Sequence, residues 1–160
     1  MLNNKSLFLN LILFVSFVAL MSALFIEYVL GHQPCNLCIL ERIPYVVAIA
    51  IILLNYKFYQ FEKLFLVLLI IVFLTATILS VYHFGIEQGF IKESLVCDLK
   101  NGSGITSKED ILKQLKEQKV SCQDVTFKIF GLSLTTYNIV ISILIAINTL
   151  KIYLNYAKNK

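Results

Sequence analysis

Cys35 and Cys38 form a Cys-x-x-Cys pair, and Cys97 and Cys122 stand far downstream. All four lie in polar intervals between long apolar runs. Thiol exchange needs a thiolate and access for a second sulfur, and hydrocarbon offers neither. Cysteines confined to the intervals of an apolar chain therefore point to thiol exchange at the water boundary. The pair alone also fits a structural disulfide or half of a zinc site. A second Cys-x-x-Cys would favour zinc, but Cys97 and Cys122 are widely separated.

Arg42 is the next residue with chemical content. Read as helix, Cys35, Cys38 and Arg42 are spaced i, i+3 and i+7, which predicts a shared face and a guanidinium one turn beyond Cys38. A permanent cation there favours the thiolate form of Cys38. Pro44 supports a second geometry. It disfavours α conformation at Ile43 and is best tolerated in a first helical turn, so the regular span begins near Pro44 and the cysteines occupy an irregular lead-in after the Gln33-Pro34 turn. In both geometries Arg42 lies between the thiols and the acyl region, and its plainer role is a snorkelling anchor. His83 and Glu87, near the outer end of the third apolar run, are candidates for moving protons; their plainer reading is solvation at a helix end.

The elements that must position these residues are membrane spans. The 160 residues are 58% hydrophobic with mean hydropathy +0.79, against about 45–50% apolar residues in a soluble domain. Four stretches, residues 7–26, 39–54, 64–84 and 134–154, approach the roughly 17–25 residues that cross a bilayer as helix. The expected fold is all-α: one integral membrane four-helix bundle over residues 1–160, with cysteine-bearing loops at 27–38 and 85–133. A cleaved signal peptide is the alternative for the first run, which is longer than the usual h-region.

Four spans group both termini with residues 55–63 and place both cysteine segments opposite. Lys5, Lys57, Lys63, Lys151, Lys158 and Lys160 face one acid, Glu62, on the first side, whereas the segment 27–42 carries Arg42 against Glu27 and Glu41. The positive-inside rule then puts the termini in the cytoplasm and the cysteines outside, where disulfides form and persist. The long loop has as many acids as lysines, and long loops translocate largely regardless of charge. The basic residues form no stripe and have no aromatic interleaving, which argues against nucleic acid despite the net charge of +4. Tyrosines near span ends, among them Tyr28, Tyr45, Tyr59 and Tyr82, fit the headgroup level.

Within the long loop, Asn101-Gly102-Ser103-Gly104 reads as a flexible turn, and Ser107-Lys108-Glu109-Asp110 as a helix start. Ile111, Leu112 and Leu115 then make a narrow apolar face, suited to a helix on the membrane surface or one packed weakly on the bundle. A disulfide between Cys97 and Cys122 would close this loop as an exposed, exchangeable bond.

Pro34-Cys35-Asn36-Leu37-Cys38-Ile39-Leu40-Glu41-Arg42 resembles the signature of the disulfide bond formation protein B family, DsbB. So do Tyr82-His83-Phe84-Gly85-Ile86-Glu87 before the third cysteine and Phe130-Gly131-Leu132-Ser133 after the fourth. The resemblance covers nearly the whole chain. Phe127 departs from it, since members often carry tryptophan there and this chain has none.

The resemblance implies an enzyme of the bacterial inner membrane with periplasmic cysteine loops. It would reoxidise a DsbA-like thioredoxin-fold partner and pass the electrons to membrane quinone, ubiquinone or menaquinone, as in the system that keeps the periplasm oxidising. It further implies that Cys97 is attacked by the partner's thiolate and that Cys122 is its exchange partner. Cys35 would link the loops by exchanging with Cys122, and Cys38 would face the quinone with Arg42 beside it; His83 joins Arg42 as a candidate quinone-site residue. Two other readings stand beside this one: a structural membrane protein whose disulfides brace its loops, and a zinc- or copper-handling protein using four thiolates.

Overall fold

Lipid cannot satisfy backbone N–H and C=O groups, so an apolar run crossing it must form all its hydrogen bonds internally and becomes a helix. The computed structural model describes residues 2–92, 97, 121–123 and 127–158. The chain forms α1 (Leu2–Tyr28), α2 (Asn36–Leu40), α3 (Ile43–Lys57), a 3₁₀ turn (Tyr59–Phe61), α4 (Glu62–Glu87), strands β1 (Lys128–Ile129) and β2 (Leu132–Ser133), and α5 (Leu134–Lys158). Among the described residues, four helical segments are long and apolar enough to cross a membrane: Ser6–Tyr28, Asn36–Lys57, Tyr59–Glu87 and Leu134–Asn155. The molecule is an all-α four-helix membrane bundle. The helices outrun the apolar stretches because internal hydrogen bonding continues past the hydrocarbon boundary, where side chains turn polar.

The helix expected over 107–117 lies outside the described residues.

α4 packs against α5 and α3, and α1 packs on α3. Where lipid surrounds the bundle, burying apolar surface between helices gains little, so close packing must supply the attraction. Small residues do this here: Ser16, Ala48, Ala76, Ser80, Ser142 and Ala146 are buried between helices. Larger side chains, including Leu9, Ile12, Ile52, Leu66, Leu69 and Phe73, fill the layer around them. Long apolar side chains such as Phe14, Phe17, Leu53 and Ile78 point outward and are exposed.

Two of the tyrosines depart from the headgroup expectation. Tyr28 and Tyr59 are exposed at span ends, but Tyr45 is buried with its ring edge-on to Phe73, and Tyr82 packs against the cysteine cluster. The Tyr45 hydroxyl finds a partner inside the bundle in Asn138, so proximity to a span end does not decide which way a tyrosine faces.

The second span is broken as Pro44 suggests. Cys35 caps α2 in an extended conformation, its sulfur accepting the Cys38 amide at 3.2 Å. The chain turns through Glu41 and Arg42, and α3 starts with Pro44 in its first turn, where a missing N–H costs nothing. The expected common helical face of Cys35, Cys38 and Arg42 is thus broken: Cys35 caps α2, Cys38 lies within it, and Arg42 caps α3. At the end of α4, Gly89 takes φ +73°, the left-handed conformation that closes a helix. Between β1 and β2, Phe130 (φ 51°) and Gly131 (φ 81°) make a left-handed two-residue hairpin turn that the sequence reading did not anticipate.

Candidate active site

The break between α2 and α3 and the end of α4 lie together at the cysteine end of the bundle. Cys35 and Cys38 are joined as a disulfide, as are Cys97 and Cys122. Cys35, Cys97 and Cys122, between 3% and 8% exposed, form one apolar cluster with Leu37 and Ile86. The second disulfide is therefore enclosed, contrary to the exposed loop bond expected, because Cys97 and Cys122 pack against Cys35 and Leu37. The side-chain amide of Asn36 donates to the Cys97 carbonyl at 3.2 Å, tying the two cysteine segments.

His83 corrects the solvated helix-end reading. It is 2% exposed, with Nε2 3.5 Å from the Cys35 sulfur and Nδ1 2.9 Å from a Glu41 carboxylate oxygen. α4 carries it inward because residues 69, 73, 76, 80 and 83 follow the buried stripe of that helix. Glu87, one turn on, accepts the Thr135 hydroxyl at 2.6 Å and is also enclosed.

Below this lies a polar group that sequence reasoning missed. Asn138 of α5 donates to Glu41 Oε2 at 2.9 Å and to Ser80 at 2.8 Å, while its own oxygen accepts the Tyr45 and Ser142 hydroxyls. An amide inside an apolar run was the available signal, since polar groups at membrane depth must find partners. Glu41 stands in the quoted motif, but nothing in the spacing predicts its partners on α4 and α5.

Arg42 does reach this region, where its guanidinium donates to the Glu27 carboxylate at the end of α1. Both the cation and the disulfide line a cavity of about 600 Å³. Its apolar end is formed by α1 residues such as Phe14, Val15 and Val18, and its polar end by Cys35, Cys38, Arg42 and His83. Cys122 also borders it, as does Phe127, whose ring lies 5.3 Å from that of His32. Phe127 thus supplies an aromatic wall to the cavity.

Cys35, Cys38 and His83 place potential metal-ligand atoms within 4.8 Å of one another. With both sulfurs joined as a disulfide, however, no thiolate is on offer.

Two disulfides packed together at one end of a helical membrane bundle, beside a cavity that reaches the lipid-facing helices, define a membrane protein of thiol–disulfide chemistry. Comparison with known proteins specifies it. The family described as Disulfide bond formation protein DsbB matches residues 5–152. A protein of Rickettsia prowazekii (strain Madrid E), described as uncharacterized, is 36% identical over 143 residues, covering 87% of this chain and 83% of that protein. The chain belongs to the DsbB family. It is a multi-pass membrane protein of the disulfide-bond-forming machinery, and the family is one of oxidoreductases.

Proposed function

We propose that the protein reoxidises a DsbA-like dithiol partner in the periplasm and delivers the electrons to quinone in the inner membrane. The observation that carries this is the cavity: it joins the Cys35–Cys38 disulfide to the apolar face of α1, and its volume falls within the range of small-molecule sites, about 300–1,000 Å³. An apolar length with polar groups converging at one end fits a lipid-soluble ring compound with two carbonyls. Arg42 is the residue to hold a carbonyl, since a fixed cation stabilises charge as it develops on oxygen. When bound, quinone supplies the capacity to accept two electrons and two protons.

The residues divide the work in sequence. The partner's thiolate attacks Cys97, forming a mixed disulfide and releasing the Cys122 thiolate. Cys122 then attacks Cys35, forming a bond between the loops and releasing the Cys38 thiolate into the cavity. The partner's second thiol resolves the mixed disulfide and frees Cys97, which restores the Cys97–Cys122 bond and frees Cys35. The Cys35/Cys38 dithiol that remains returns to the disulfide by giving two electrons and two protons to quinone. Enclosure of both disulfides in one cluster shortens the distance this exchange must cover.

The same enclosure also favours the bracing role, because a buried disulfide is protected from reductant. Purified protein incubated with a reduced DsbA-like protein and either a ubiquinone or a menaquinone analogue separates the two readings. Quinone reduction matched to partner oxidation, lost on serine substitution of any of the four cysteines, is the expected result. Disulfides that stay oxidised against the reduced partner, with no quinone consumed, would leave bracing as the function.

A further inference from the structure

We propose that His83 is the acid–base group of Cys35 and that Glu41 is its positioning residue. This rests on the thiol-oxidase reading above and gives its inner cysteine pair a proton path. The geometry is that of a base between a nucleophile and an orienting carboxylate: Nε2 lies 3.5 Å from Cys35 Sγ, and Nδ1 lies 2.9 Å from Glu41 Oε1. The carboxylate is itself held, since Asn138 donates to its other oxygen at 2.9 Å. Sulfur, ring and carboxylate come from three places in the chain and meet out of water, His83 being 2% exposed. A solvated histidine at a helix end needs no such enclosure.

The other groups around the ring fit this assignment. Cys38 lies in the same cluster of potential ligand atoms. From α4, Glu87 Oε1 is 3.9 Å from Nε2, and from α5 the Thr135 hydroxyl is 3.4 Å from Nδ1 and donates to Glu87. Arg42 is paired with Glu27 and Cys122 borders the shared cavity. The ring thus meets the Cys35 sulfur at Nε2 and the Glu41 carboxylate at Nδ1, with Glu87 and Thr135 drawn from α4 and α5.

The proton balance is then closed. When Cys97 attacks Cys122 and the bond between the loops breaks, Cys35 leaves as a thiolate and His83 protonates it through Nε2. When the dithiol is reoxidised, Nε2 takes that proton back and the Cys35 sulfur bonds to Cys38. Two electrons pass to the quinone acceptor with two protons, the one Nε2 has taken from Cys35 and passes on and the one belonging to Cys38; Nε2 is reloaded for the next cycle by a proton released as the partner's dithiol is oxidised. Glu41 keeps Nδ1 protonated throughout and so leaves Nε2 free to turn over.

The test uses the full chain in detergent with Cys38, Cys97 and Cys122 replaced by serine, leaving Cys35 as the sole thiol, and follows its alkylation by iodoacetamide against pH. The expected result is that His83→Phe slows alkylation about tenfold or more near neutral pH, because a paired histidine raises the thiolate fraction. It should also reduce the rate profile to one ionisation, with Glu41→Gln falling between the two. Superimposable profiles for the parent and His83→Phe would overturn the assignment.

Nitrogen NMR of His83 in the unsubstituted protein decides the same point if the phenylalanine variant does not fold. A protonated Nδ1 is expected; a bare Nδ1 with the proton on Nε2 would overturn the proposal. Neither measurement uses quinone or partner, so their failure and the failure of the quinone assay are separate results.

Discussion

At the scale of single residues, the proposed relay separates into attack at the loop pair and delivery at the inner pair. Cys122→Ser removes the thiol that competes for Cys97, so a mixed disulfide with the reduced partner should accumulate and appear on non-reducing gels. Equal trapping by Cys97→Ser through Cys122 would reverse the direction of attack. Arg42 tests the other end. Its guanidinium donates to Glu27 while bordering the cavity. Losing a charged hydrogen bond to a bound carbonyl is worth about 1.5–3 kcal/mol. Arg42→Ala should therefore raise the apparent KM for quinone by roughly one to two orders of magnitude, while a single turnover between Cys97–Cys122 and the partner stays near normal. Arg42→Lys retains the charge without the planar fork and should fall between. Steady-state kinetics over a range of quinone concentration checks both, and an unchanged KM in both variants would make Arg42 an anchor.

At the scale of elements, the site depends on α4 and α5 being locked to the break before α3. Asn138 makes that lock, bridging Glu41, Ser80, Tyr45 and Ser142. Hydrogen bonds between membrane helices are worth about 0.6–2 kcal/mol each, and truncating the hub leaves several partners unsatisfied. Asn138→Leu should cost about 2 kcal/mol or more, against less than about 1 kcal/mol for Ser142→Ala, which removes one contact. Unfolding in mixed micelles measures the difference; equal costs would show that the amide is not the hub. The helix break belongs to the same scale. Pro44 sets where α3 begins, and the Cys35 cap sets where α2 begins, so the disulfide sits at a junction and not on a continuous helical face.

At the scale of the whole molecule, the cavity and the side of the membrane that the cysteines face are the decisive features. Ala23→Phe places a ring on the α1 wall of the cavity. It should raise the quinone KM severalfold and leave partner exchange intact, so quinone titration beside a partner-exchange assay checks it. Unchanged quinone kinetics would detach the acceptor from this cavity. On the lysine asymmetry, all four cysteines are expected outside the cytoplasm. An impermeant thiol reagent should therefore label mildly reduced, intact cells, and labelling confined to opened cells would reverse the orientation and remove the periplasmic reading.

The chain alone determined the four spans, because a hydrocarbon interior admits a long apolar run only as an internally bonded helix, and it marked the cysteines as the chemistry by excluding them from those runs. It also offered a break near Pro44 as one of two geometries, since proline acts through its own backbone and needs no distant partner. Only the tertiary structure decided what surrounds the sulfurs. His83 is 48 residues from Cys35, and Asn138 is 97 from Glu41. Their meeting depends on the rotation of α4 and α5 about their axes. Helices that are apolar on nearly every face do not encode that rotation in their periodicity; it is set by the packing of small residues and by the polar partners themselves. For the same reason, Arg42 was legible as a cation near the thiols, but its pairing with Glu27 was not.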